Sequence, residues 1–202
     1  MSGTFPTTPA PSKVSIESFY PTFVSTAHNQ SRQVSQRGGH RWFLTLDFPK
    51  GLTRAELAPI FAFLVAQRGQ YDTFTYTPPV VDDPRGSVSG TPLVDGASQT
   101  GRTIATKGWT ASQTGIVLAG DFIRFAGHNK VYMITANADS DGSGEADISI
   151  DPALLASPVN EAVITVTDVP FTVGLLDDRS GFALDGPTFE FTKAIQFIER
   201  PE

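Results

Sequence analysis

The segment that most restricts the fold runs from Arg41 to Pro79, where one well-marked helix stands between two strand-like runs. Residues 41–48 alternate, with Trp42, Leu44 and Leu46 opposite Phe43, Thr45 and Asp47, the pattern of a strand with one buried face. Thr53-Arg54-Ala55-Glu56 has the form of a capping box, in which each of the two outer residues satisfies an amide of the other. Leu57, Ile60, Phe61 and Leu64 then recur at helical spacing. Gly69 suits the left-handed position that closes a helix, just after Arg68. The spacing predicts a helix over 53–68, in which Pro59 removes one backbone donor near the start. Residues 71–76 read as a second strand, ended by Pro78-Pro79.

The rest of the chain reads as short strands and turns. Its 202 residues include 18 Gly and 15 Pro, and 15 Phe against two Met, so turns are frequent and the core is built from rigid side chains. Strands are expected over 14–24, with a break at Pro21, and over 31–36, then at 102–107, 115–118, 121–126, 130–135, 146–150, 162–166 and 171–176. The alternation from Phe189 to Ile198 predicts one regular closing strand that pairs with the N-terminal half. The pentapeptide Ala-Ser-Gln-Thr-Gly occurs at 97–101 and again at 111–115, too short for a repeat array. The expected class is mainly β: a β-sandwich with one packed α-helix, interrupted by an inserted small β-barrel-like (OB-like) module. The domains are expected at 13–80 plus 160–202 for the sandwich and 81–159 for the insertion. Residues 1–12, rich in Pro, Thr and Ser, are expected to form a flexible arm, and 80–99 a linker; either is a candidate contact arm.

Composition narrows the function. A net charge of −6 argues against nucleic acid as partner, and zero cysteines exclude disulfides and thiolate chemistry. No apolar run approaches the length of a spanning helix, and the N-terminus lacks the pattern of a signal peptide, so membrane insertion is not expected and synthesis in the cytoplasm is. Asp139, Asp141 and Gly144 match the start of a calcium-binding loop, but the position of its closing Glu is Ile150; a polar hairpin loop accounts for the same residues. His28, His40 and His128 are scattered among turn residues and read as surface histidines. Asp82-Asp83 and Asp177-Asp178 read as solvated turn acids. Trp42, Phe43, Phe74 and Tyr76 could form a sugar-stacking platform, although at strand spacing beside a helix such aromatics are more often core. With no nucleophile elbow, phosphate loop or dinucleotide fingerprint, no catalytic, cofactor-binding or metal residue is assigned, and the chain is not expected to be an enzyme.

The run from Trp42 to Phe48, the helix LTRAELAPIFAFL and the following RGQYDTF resemble the distal tail proteins of long-tailed, siphovirus-like bacteriophages. The segments AGDFIRF, KVYMIT and DGSGEADISIDPAL resemble a small β module common in such proteins, although Leu154-Leu155-Ala156 stands where these modules often carry an Arg. The resemblance implies a structural virion protein of the tail tip or baseplate, at the distal end of the tail. It implies a homohexameric ring joining the tail tube protein to the tail-tip hub protein, with the tape measure protein as a further partner. It carries no catalytic residue. The alternative function is a carbohydrate-binding or host-receptor-binding module of the tail, and a glycan screen would separate the two.

Overall fold

The computed structural model describes residues 3–79 and 83–201. The expectations for Met1 and Ser2, for the boundary at 80/81 and for the Asp82 half of its acidic pair lie outside the described residues. The chain is mainly β with one helix and divides into two compact units, residues 1–74 with 173–200, and 75–172 with 201–202.

The first unit starts with β1 (Lys13–Phe19), β2 (Thr22–Thr26), β3 (Arg32–Gln36) and β4 (Arg41–Asp47), followed by α1 (Arg54–Ala66) and β5 (Phe74–Tyr76). The second unit contributes β6 (Gly90–Val94), β7 (Thr103–Trp109), β8 (Phe122–Phe125), β9 (Val131–Ile134), β10 (Ala146–Asp151) and β11 (Ile164–Thr165). The chain then returns through β12 (Phe171–Leu175), β13 (Phe182–Asp185), β14 (Thr188–Phe191) and β15 (Ile195–Glu199).

A five-stranded sheet in the order β1-β4-β15-β12-β5 organises the first unit. Its register sets Leu44 against Ile16 on one side and Phe197 on the other, so the apolar set of β4 falls on one face. The helix lays Leu57, Ile60 and Leu64 into the core. Its capping box is present: the Thr53 amide donates to Glu56 Oε2 at 2.8 Å, and the Glu56 amide donates to Thr53 Oγ1 at 3.4 Å. That bond from the Thr53 backbone holds the Glu56 carboxyl below its ordinary range. Pro59 sits inside the helix without ending it, at the cost of the backbone bond a residue there would give to the Ala55 carbonyl, while the capping box at Thr53 and the Gln67 amide close the two ends. At the C-terminus Arg68 itself takes the left-handed conformation (φ 56°), with Gly69 following at φ 65°; the sequence assigned that role to Gly69 alone.

Four sequence expectations are corrected. The segment read as a flexible arm inserts Phe5, 2% exposed, among Phe63, Phe74 and Phe197, with ring centroids 5.6, 6.1 and 5.3 Å away. The segment 71–76 is strand only from Phe74, and Tyr71 lies exposed in the turn before it with the Arg68 guanidinium over its ring. The single closing strand is two: β14 pairs back on β13, and only β15 joins the main sheet. The alternation continues across Thr192-Lys193-Ala194, so the break leaves no trace in the pattern. Residues 90–94, read as part of a linker, form β6 with Val94 wholly buried.

The second unit is a six-stranded sheet in the order β11-β8-β9-β10-β7-β6. A bridge from Leu93 to Val163 brings its two ends together, giving a nearly closed barrel-like sheet. Ile104, Ile123, Phe125, Ile134, Ile148 and Ile164 fill it. Two glycines set its packing: a Cβ on Gly108 would lie 2.3 Å from the Thr91 carbonyl, and one on Gly144 would lie 2.3 Å from that of Trp109.

The repeated pentapeptide is a loop device used twice. Ser98 and Ser112 share a left-handed φ (61° and 55°), and so do Gly101 and Gly115 (87° and 64°). In each copy the Gln turns back onto backbone. Gln99 donates from Nε2 to the Asp95 and Ala105 carbonyls, at 2.6 and 3.1 Å, and accepts from the Ala105 amide at 2.8 Å. Gln113 donates to the Ser87 carbonyl at 2.6 Å and accepts from the Ser89 hydroxyl. Gln99→Ala and Gln113→Ala are each expected to lower stability by about 1–3 kcal/mol, with near-additive effects because the two loops share no partner. Urea unfolding followed at Trp109 checks this; strong coupling between the substitutions would refute independent staples.

Candidate assembly surface

Strands β2 and β3 form a two-stranded ribbon of their own, and every residue in both is exposed. Val24 stands opposite Val34 on one face, while Phe23, opposite Ser35, lies on the other. Phe23 is 52% exposed and Val34 59%, and Phe19 is exposed where β1 ends. The ribbon therefore carries apolar side chains on both faces, and among the described residues neither outer edge is paired. An isolated hairpin is marginal in water, and an unpaired edge is a template for another strand.

Local chemistry shapes this projection. Tyr20-Pro21 separates β1 from β2, and the Arg37 amide donates to the Pro21 carbonyl at 2.9 Å across the neck. Gly39, at φ 104°, lets the second strand turn where it rejoins β4. At the tip, the Asn29 carboxamide accepts from the Ser31 amide at 3.1 Å and Gln30 takes φ 64°. The Arg37 guanidinium lies 5.4 Å above the Phe23 ring. From Ser18 to Leu46 the chain has three arginines and no acid, although the whole protein is −6.

A buried polar and aromatic cluster anchors the root. His40, read from sequence as a surface histidine, is buried; its Nε2 lies 2.9 Å from Ser18 Oγ, and its ring packs on Tyr20 and Trp42 with centroids 4.6 Å away in both cases. Glu199 is wholly buried and accepts from the Trp42 amide at 3.3 Å.

The other sequence candidates hold structure. Asp139 accepts from the Gly115 amide at 2.7 Å, while Asp141 accepts from the Ser143 and Glu145 amides, both at 2.8 Å. The Glu145 amide, then that of Ser143, holds the Asp141 carboxyl below its usual value. These acids organise a hairpin loop, and among the described residues no group of three His, Cys, Asp or Glu is placed to hold a metal ion. Asp177 pairs with Lys193, which depresses its carboxyl, and Asp178 accepts from the Gln70 amide at 3.1 Å, so this acidic pair is divided between two partners. His28 is exposed near the ribbon tip, and His128 is half-buried between β8 and β9. Trp42, Phe74 and Tyr76 are buried in the fold, which removes them as a sugar platform; burial also pushes the Tyr76 phenol up to about 12. No described helix is long and apolar enough to cross a membrane.

Sequence reasoning missed two residues that matter to the fold, Phe5 and Asp121. The carboxylate of Asp121 accepts from the backbone of Arg85, Gly86 and Leu118 at 2.8, 3.2 and 2.8 Å. Asp121 follows Gly120 in what reads as an ordinary turn, so nothing local announces its partners.

Residues 82–169 match the family model described as distal tail protein pb9, B domain. No curated protein matches the chain. The match lies within the barrel-like unit and supports a distal tail protein of a phage, a structural tail protein.

Proposed function

We propose that the chain assembles as a homohexameric ring at the distal end of a siphovirus-like tail, a baseplate component joining the tail tube protein to the tail-tip hub protein. The tape measure protein is a further proposed neighbour. The exposed β2–β3 ribbon carries the reading. It places Phe23, Val24 and Val34 in solvent with open strand edges, a poor arrangement for a monomer and a good one for a subunit with neighbours. Its arginines, in an acidic chain, complement the surface of a second copy. The number six comes from the family resemblance.

Light scattering with negative-stain imaging tests the reading, with six-fold rings expected for the purified protein alone or beside a tail-tube protein. A strict monomer under both conditions would sink it. In the double variant Phe23→Glu/Val34→Glu the subunit contact is expected to weaken at least about a hundredfold, from two lost anchors of roughly 1.5–2 kcal/mol each. Both side chains are exposed, so the unfolding curve should hold. A ring that survives the double variant would show that another surface closes it.

A further inference from the structure

We propose, resting on the ring reading above, that the β13–β14 hairpin is the surface that receives the β2–β3 ribbon of a second copy. A closed ring of more than two copies needs a head-to-tail contact, in which two different patches of each subunit meet. The main sheet of the first unit supplies two such patches at opposite ends. Phe19 pairs with Arg41 at the end from which the ribbon leaves. Ile195 pairs with Leu46 at the other end, and Leu175 lies beside Phe197 there. The β13–β14 hairpin, Phe182 to Phe191, is inserted between these two strand ends. Each subunit therefore offers its ribbon to one neighbour and its hairpin to the other.

The hairpin is fixed before a neighbour arrives, so little ordering cost attends docking. The Leu52 amide donates to the Phe189 carbonyl and the Phe189 amide to that of Leu52, both at 2.9 Å. Phe182 packs edge-on against Phe61, with ring centroids 5.0 Å apart. Beyond this anchor the apolar row continues into solvent: Phe182 is 38% exposed, and Leu184, on the same face of the strand, 69%. Among the described residues β13 pairs only with β14, so its far edge is open to another strand. Charge favours the ribbon as that strand. Residues 18–46 carry three arginines and no acid, whereas residues 177–190 carry four acids and one arginine. Two ribbons would set arginine against arginine, and two hairpins acid against acid. Ribbon on hairpin brings opposite signs together, and apolar side chains of the ribbon leave water beside Leu184.

The chain has no cysteine, so introduced thiols report on chosen contacts alone. A tagged Ser25→Cys chain is co-expressed with an untagged Leu184→Cys chain and treated with a short bismaleimide. A cross-linked band of mixed mass is expected, with none from either chain expressed by itself. Leu184→Glu is expected to weaken the subunit contact at least about tenfold, and the unfolding curve should hold because the side chain lies in solvent. Rings that form without the mixed band would overturn the docking assignment and leave the ring reading standing. So would rings of unchanged strength in Leu184→Glu. A band from Ser25→Cys alone would place ribbon against ribbon and overturn the head-to-tail contact. Monomers throughout would sink the ring reading itself, and the docking with it.

Discussion

Phe5→Ala will destabilise the first unit by about 3–5 kcal/mol, a large share of the 5–15 kcal/mol that holds a typical domain. The ring is 2% exposed and packs edge-on against Phe63 and Phe197, with Phe74 stacked alongside. Removing it takes apolar surface out of the core and leaves a cavity that helix and sheet, already fixed on each other, cannot close. Phe5→Leu keeps most of the volume and should cost no more than about 1.5 kcal/mol. The two tryptophans, Trp42 and Trp109, fall one in each unit, so 5-fluorotryptophan labelling gives a separate 19F probe of each. The Trp42 signal should report the loss while that of Trp109 holds its midpoint. A change below about 1 kcal/mol would mean that the N-terminal segment is not anchored by this ring.

Asp121→Ala acts on the second unit with comparable force. The carboxylate is 4% exposed and gathers three backbone amides from two separate segments, residues 85–86 and 118. Alanine strands all three donors where water reaches them poorly, and the expected loss is about 3–5 kcal/mol. Asp121→Asn retains one acceptor but turns an amide NH2 towards donors, so it should recover less than half. A Cβ on neighbouring Gly86 would lie 2.6 Å from the Ile116 carbonyl, so the 85–86 segment has little room in which to find other partners. Urea unfolding followed at Trp109 measures both variants. If alanine costs less than asparagine, the carboxylate is not the staple described here.

Local signals made the helix legible. The capping box joins residues three apart, and the apolar face recurs every three or four, so both were readable before any tertiary contact was known. Strand β4 was legible for the same reason, its burial alternating strictly along seven residues. The stretches at 119–125, 130–135 and 141–154 that resemble a phage tail module fall within the segment matched by the distal tail protein domain. The exposure of the β2–β3 ribbon was not legible. Phe23 and Val34 alternate with polar residues as core-facing side chains do, and alternation does not say whether a partner strand lies above them. Phe5 failed for the converse reason, since an isolated aromatic among prolines and threonines carries no period at all.

By itself the sequence determined the class of the molecule: mainly β, with one capped helix between two strands. These are properties of residues a few positions apart, and they act before the chain has folded. Only the tertiary structure decided which apolar residues are core and which face solvent, because that depends on partners far away in sequence. It set Phe5 beside Phe197, gave Asp121 three amides on two segments, divided the closing strand between two sheets, and left the β2–β3 ribbon uncovered. Burial is a relation between segments, and a periodic pattern records only one of them.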